Sequence, residues 1–199
     1  MKQGQILVIS GASGAGKGTI CKALTAQYPD MHLSVSATTR APRPREIDGV
    51  HYHFLAKSRF EEMIAQNQLL EYNRYVDNYY GTPAQPVDEA LAQGRDALLE
   101  IDVNGALKVK KNRPEAILVF LVPPSLAELE RRLRARGDTA PELIARRLEQ
   151  AREEYKLAHQ YDYIVVNSTV ENACDEVSAI LKAHTCKTKY RTYYLEEEK

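Results

Sequence analysis

The sequence predicts an α/β fold: a mainly parallel sheet flanked by helices, carrying a small β-rich insert and a helical lid. Three observations predict it. A short apolar run at residues 5–10 (QILVIS) leads through a glycine-rich loop directly into a helical pattern. Apolar runs of strand length recur at 97–101 (ALLEI), 117–122 (ILVFLV) and 163–166 (YIVV), with helical patterns between them. Strands that alternate with helices read as a parallel sheet. Finally, two stretches, about 34–83 and 126–150, break that rhythm.

The first run is continuously apolar, as expected of a strand buried on both faces. The helix after it has Ile20, Ala23, Leu24 and Gln27 at helical spacing over residues 17–28, and Pro29 closes it. Later helices are predicted to begin near Pro86, Ser125, Pro141 and Val170. Four S/T-x-x-E spacings mark capping boxes, starting at Ser58, Ser125, Thr139 and Ser168, and Gly94 and Gly137 stand where C-terminal caps belong. The 34–83 stretch holds three prolines, nearly all the early aromatics and a strand-like alternation over 69–76, so it reads as a β-rich insert. Residues 126–150 read as two arginine-rich helical pieces around Arg136-Gly137-Asp138 with little apolar surface, a mobile flap. The core is then about 1–33, 84–125 and 151–184, and residues 185–199 form a partly docked or frayed tail.

Composition narrows the function. With 199 residues, 44% of them hydrophobic and 27% charged, the chain suits one globular unit and not a disordered or collagen-like one. Its longest purely apolar run, residues 116–122, is far short of the roughly 20 residues that span a bilayer, and residues 6–9 are too few for a secretory signal. Cys21, Cys174 and Cys186 share no C-x-x-C spacing, which predicts neither a disulfide framework nor a structural zinc site and favours a cytoplasmic location. Lys and Arg number 27 against 27 Asp and Glu, so bulk attraction to nucleic acid is not expected. Oligomeric state is left open.

The chemistry begins at Gly11-Ala12-Ser13-Gly14-Ala15-Gly16-Lys17-Gly18-Thr19. This is the G-x-x-x-x-G-K spacing after a strand and at a helix start. Glycines let the backbone wrap a phosphate, N–H groups point inward, and the lysine adds a point charge. Gly18 replaces the usual Ser or Thr after the lysine, so a metal-binding hydroxyl is missing from its usual place; Thr19 or the nucleotide's own oxygens could serve. Arg40 and Arg43 lie in a segment stiffened by Pro42 and Pro44, which suits a bidentate phosphate clamp, although alone they read more readily as solvated surface arginines. Glu71, between apolar neighbours, could accept hydrogen bonds from a base or could be an edge-strand carboxylate.

Taken together, the strand–loop–lysine start, SVSATTRAPRPREIDGVHY, the glutamate of LLEY, NYYGT, LLEIDVNGA and PPSLAELERRLRARG resemble guanylate kinases, in order and spacing, over about residues 5–167. The resemblance, to the bacterial type, implies a P-loop nucleoside monophosphate kinase that moves the γ-phosphate of ATP to GMP or dGMP. Residues Gly11 to Thr19 would hold ATP as Mg-ATP, with Asn167 near the adenine. Ser36, Glu71, Thr82 and Asp102 would meet guanine, while Arg40, Arg43, Tyr52 and Tyr80 would hold the GMP phosphate. Arg132, Arg136 and Arg147 would reach the transferring group, alongside Lys17 and Arg43. Glu100 stands where Asp is usual and Asn104 where Gln is usual, and no residue is assigned to the metal. Gly18-Thr19 is the adenylate-kinase spelling, so relaxed acceptor choice is one rival reading. A catalytically silent peptide-binding scaffold is another, opposed by the presence of Lys17, Arg40, Arg43, Arg136 and Arg147. A P-loop ATPase or GTPase switch is a third, opposed by the lack of a water-positioning element.

Overall fold

The computed structural model describes residues 4–135 and 141–195. In chain order its first half holds β1 (Ile6–Ser10), α1 (Lys17–Gln27), β2 (His32–Leu33), β3 (Ala37–Thr38), β4 (His53–Phe54), α2 (Lys57–Ala65), β5 (Leu69–Tyr75) and β6 (Asn78–Pro83). Then follow α3 (Ala84–Ala92), β7 (Ala97–Glu100), α4 (Val103–Asn112), β8 (Ile117–Val122), α5 (Leu126–Ala135), α6 (Pro141–Lys156), β9 (Tyr163–Val166) and α7 (Val170–Thr185).

Every residue of β1 is buried, which explains an apolar run without visible alternation. Its side chains still point to opposite faces: Leu7 and Ile9 join a cluster with Ile20 and Leu24 of α1 and Val177 of α7. Ile6 and Val8 join the other, with Val87 of α3 and Ala106 and Val109 of α4. The core sheet is parallel throughout, in the order β2-β7-β1-β8-β9. The chain therefore leaves β1 toward one edge, returns, and continues toward the other. Ligands of such sheets bind beyond the carboxyl ends of the strands at that reversal. The glycine loop after β1 and the acidic residues after β7 lie there.

The insert carries its own sheet, ordered β4-β3-β6-β5, with the β5–β6 and β3–β6 pairs antiparallel. A register irregularity between Leu69 and Glu71 sets Glu71 opposite Thr82. The alternation predicted to run through Val76 ends at Tyr75, because Val76 occupies the hairpin turn with φ +55.

Some boundaries differ from the sequence reading. Ser125 does cap α5, its hydroxyl accepting the Glu128 N–H at 3.1 Å, and Gly94 (φ +72) follows α3. The box predicted at Ser58 does not form, since α2 starts two residues earlier, with Ala56 and not Ser58 at its N-cap. At α7 the cap is Thr169, not Ser168; its hydroxyl accepts the Asn172 N–H at 3.1 Å. Arg136, Gly137 and the Thr139 box lie outside the described residues. The expectation of little apolar surface in 126–150 is corrected. Leu129, Leu133, Ile144 and Ala151 form a third buried cluster with Ala12 of the glycine loop, and α6 continues to Lys156, past the division drawn at 150. Among the described residues no helix is long and apolar enough to cross a membrane.

A β-branched residue in the left-handed region costs on the order of 1–2 kcal/mol, and asparagine tolerates it better. Val76 is 74% exposed, so little packing is lost by changing it. Val76→Asn is expected to raise the unfolding free energy by about 0.5–1 kcal/mol in urea denaturation.

Candidate active site

The loop between β1 and α1 takes its shape from glycines that no other residue could replace. A Cβ on Gly11 (φ +135) would stand 2.2 Å from the Leu121 carbonyl oxygen, and one on Gly16 (φ +98) 2.4 Å from Nδ2 of Asn167. Lys17 folds back over the loop, its ammonium donating to the carbonyls of Gly11 at 2.6 Å and Ala12 at 3.2 Å. Burial pulls its pKa down, against the pull of Glu100, Glu154 and Asp102. The loop is gripped from outside at one carbonyl. Asn167 Nδ2 donates to the Ala15 oxygen at 2.8 Å and Arg132 Nη1 does so at 3.4 Å. Arg132 also donates to the Asn167 carbonyl at 2.9 Å and to Glu128 at 2.7 Å.

Beyond the loop lies a cavity of about 250 Å³ whose lining includes Lys17, Ser36, Tyr52, Glu71, Tyr80 and Asp102, all singled out in the sequence. A larger recess of about 700 Å³ opens between α2 and α3, lined by groups such as Leu55, Met63, Pro83 and Pro86, without convergent catalytic chemistry. Glu71 is 6% exposed and its carboxylate accepts from Thr82, from the hydroxyl at 2.9 Å and from the backbone N–H. Burial therefore dominates and pushes its pKa up to about 7; Thr82 and Lys108 pull the other way, while Asp102 adds to the rise.

Glu71 rests against the first turn of α4. Asp102 caps that helix by accepting the Gly105 N–H at 2.7 Å, and a Cβ on Gly105 would stand 2.9 Å from Oε2 of Glu71. Asn73 bridges outward, its amide donating to Asp102 at 3.2 Å while Lys108 donates to its oxygen and to the Tyr72 carbonyl. The sequence reading missed Asn73, Gly105 and Lys108. Only a helix-start pattern at Asp102 hinted at them, since the contacts join β5 to α4 across about thirty residues of chain.

At the cavity's other end, Arg40 makes a two-pronged pair with Glu46, both contacts at 2.9 Å, and its Cζ stands 5.6 Å from the Tyr52 ring centre. The Arg43 N–H donates to Glu46 at 2.7 Å, and these bonds hold the Glu46 carboxyl at about 2. His51 closes the turn before it, its Nδ1 accepting the Ile47 N–H at 3.0 Å. The arginines of α5 are less free than the sequence suggested: Arg131 and Arg132 pair with Glu128, and Arg134 with Glu130. Arg147 lies on α6 and is half-buried. Gly18 leaves its side open. A Cβ there would stand 3.5 Å from both carboxylate oxygens of Glu100, whose pKa burial raises.

A parallel sheet with a phosphate loop at its reversal, and an insert that faces that loop with arginines, tyrosines and a buried glutamate, define a P-loop nucleotide kinase with an acceptor-binding insert. Comparison with known proteins narrows the class. The guanylate kinase family model matches residues 3–184. Guanylate kinase of Carboxydothermus hydrogenoformans is 48% identical over 193 residues, covering 97% of this chain and 95% of its own. That of Desulfitobacterium hafniense is 46% identical, covering 96% and 95%. A crystal structure of guanylate kinase from Anaplasma phagocytophilum superposes with TM-score 0.75 at 31% identity, covering 94% of this chain and 89% of that one. The chain belongs to the guanylate kinase family.

In the unliganded protein Glu71 keeps a proton up to about pH 7 that the unfolded chain releases near 4.5. Over that window the native state holds the extra proton, so stability declines as pH rises from about 4.5 to about 7. Glu71→Gln is expected to flatten this decline when unfolding free energy is measured across the window.

Proposed function

We propose that this chain is an ATP:GMP phosphotransferase that moves the γ-phosphoryl group of ATP to GMP or dGMP, releasing ADP and GDP or dGDP. The observation that carries the reading is one shared cavity: Lys17 of the phosphate loop and the Glu71–Thr82 pair line it or lie at it together. Membership of the guanylate kinase family supports the same chemistry.

In this reading Glu71 selects the base. Guanine offers N1–H and N2–H₂ donors to a carboxylate and an O6 acceptor to a hydroxyl of Ser36 or Thr82. Adenine lacks the N1–H and O6, and would leave a buried carboxylate unpaired at a cost of about 1–3 kcal/mol. Asp102 completes the base end, and Arg40, Arg43, Tyr52 and Tyr80 hold the GMP phosphate. Residues Gly11 to Thr19 hold the ATP phosphates on N–H groups, and Asn167 supports that loop from beneath, toward the adenine side. Lys17 leaves the Gly11 and Ala12 carbonyls and turns to the phosphates. Arg132, Arg136 and Arg147 offset charge on the transferring group. The GMP phosphate, its second pKa about 6, attacks as a dianion without a general base. The reaction then asks for position and charge, not for a poised histidine.

Members of such kinase families generally use Mg-ATP, and the residues here fit a hard cation with few protein ligands. No group of three His, Cys, Asp or Glu among the described residues could cage a metal. The Glu100 carboxylate over Gly18 puts oxygen close to where the missing hydroxyl would reach. Magnesium on the triphosphate would supply charge neutralisation, and the Glu100 carboxylate would help hold it from the protein side. ATP and GMP are the partners in this reading, with no nucleic acid and no membrane, and a cytoplasmic location supplies both.

A coupled ADP-release assay with GMP, dGMP, AMP, CMP and UMP tests the acceptor. GMP and dGMP are expected to turn over; activity with AMP and none with GMP would overturn the assignment, and no turnover at all would favour a binding scaffold. Because Glu71 must be ionised to take two donors, kcat/KM for GMP is expected to fall on the acid side with an apparent pKa near 7. A profile flat from pH 8 to about 6 would contradict it.

A further inference from the structure

Glu46 is an acid inside the group of side chains that this reading assigns to a phosphate dianion, where charge alone would make it unfavourable. Its geometry gives it a purpose. A guanidinium carries five N–H groups. Arg40 gives one to the Ala41 carbonyl at 2.7 Å and two, at 2.9 Å each, to the two oxygens of Glu46. That uses the end of the fork. Nε–H and the second Nη2 hydrogen lie side by side along the other edge, a pair that matches two oxygens of a phosphate, and the guanidinium also hydrogen-bonds the Tyr80 side chain.

Three further contacts fix the direction of that edge. The Arg40 Cζ stands 5.6 Å from the Tyr52 ring centre and 5.7 Å from that of Phe54. Tyr80 interacts with the same guanidinium, and the Tyr52 and Tyr80 rings meet edge to face at 6.1 Å. Glu46 is itself anchored. It ends a tight turn in which its N–H donates to the Arg43 carbonyl at 3.0 Å and its carboxylate accepts the Arg43 N–H at 2.7 Å. Pro44 and Arg45, the latter at φ +72, form the middle of that turn. The Arg40 and Glu46 side chains are only 16% and 17% exposed, so neither is a loosely solvated surface group.

We propose that Glu46 is a positioning residue: it holds the end of the Arg40 fork and the Arg43 backbone, so that the Nε edge of Arg40, beside Tyr80, faces the acceptor's phosphate before the acceptor arrives. The inference rests on the GMP reading above. It gives the opposite sign to simple charge. If only net charge mattered, removing the carboxylate would strengthen phosphate binding; if orientation matters, removal weakens it, because an amide at that place has one acceptor oxygen and turns its N–H₂ group toward a cation.

The test compares GMP with guanosine, which keeps the base and lacks the phosphate, on the full-length protein. For Glu46→Gln, GMP is expected to bind about tenfold or more weakly, as for loss of a charge-assisted hydrogen-bond pair. The guanosine inhibition constant and the KM for ATP should stay within about twofold, and kcat at saturating GMP within about threefold. Tighter or unchanged GMP binding overturns the proposal, as does an equal loss for GMP and guanosine, which would mean that Glu46 only maintains the insert. If circular dichroism shows that Glu46→Gln does not fold, Glu46→Asp is used; its one-methylene retreat should weaken GMP and spare guanosine, and any other pattern overturns the proposal. Failure of the wild type to phosphorylate or bind GMP would instead overturn the acceptor reading.

Discussion

A carboxylate taken out of water must find hydrogen-bond donors or keep its proton, and Glu71 shows how much structure that demand organises. It is buried with Thr82 as its hydrogen-bond donor, and burial outweighs those bonds and pushes its pKa up to about 7. The irregularity in β5 sets it opposite Thr82. Gly81 and Gly105 make room on either side, since a Cβ at either would stand under 3 Å from atoms of Glu71. Asp102, capping α4, adds a second acceptor nearby. The cavity is thus built around a buried carboxylate with few protein donors, the feature on which the proposed choice of base rests.

The phosphate side follows a different rule. Its positive groups are held by neighbouring protein oxygens. Lys17 lies on two carbonyls of its own loop, Arg40 on Glu46, and Arg132 between Glu128, Ala15 and Asn167. Each pairing is polar and partly open to water, so exchange for a phosphate replaces one set of charge-assisted bonds with another. The third apolar cluster adds to this arrangement: packing Leu129 and Leu133 onto Ala12 joins α5 to the loop, so movement of either is felt by the other.

Much of the fold was legible because burial writes itself into composition. The run at 117–122 became β8 without change, since a strand buried in a parallel sheet has little option but to be apolar, and 163–166 became β9, an edge strand that buries Val165. The glycine loop was legible because close backbone approach leaves glycine alone acceptable, as at Gly11 against Leu121. Caps were less so. Ser58 and Ser168 had the right spacing, but helix starts shift by one or two residues when tertiary packing decides the register, and Thr169 took the second cap. The apolar side of α5 and α6 was missed because arginine and glutamate dominate their composition while leucines at helical spacing supply the buried face.

By itself the sequence determined the chemistry available: a phosphate loop with a lysine, arginines stiffened by prolines, and a glutamate among apolar neighbours, at spacings that resemble one family. Only the tertiary structure decided how those groups are held. It folds Lys17 onto its own loop, makes Ala15 the carbonyl gripped by both α5 and the end of β9, and sets Glu46 behind Arg40. The division has a physical reason. Residue types fix which bonds a group can make, while the choice among possible partners depends on distances between segments remote in sequence, as with Asn73 and Asp102, and those distances exist only once the sheet and helices have packed.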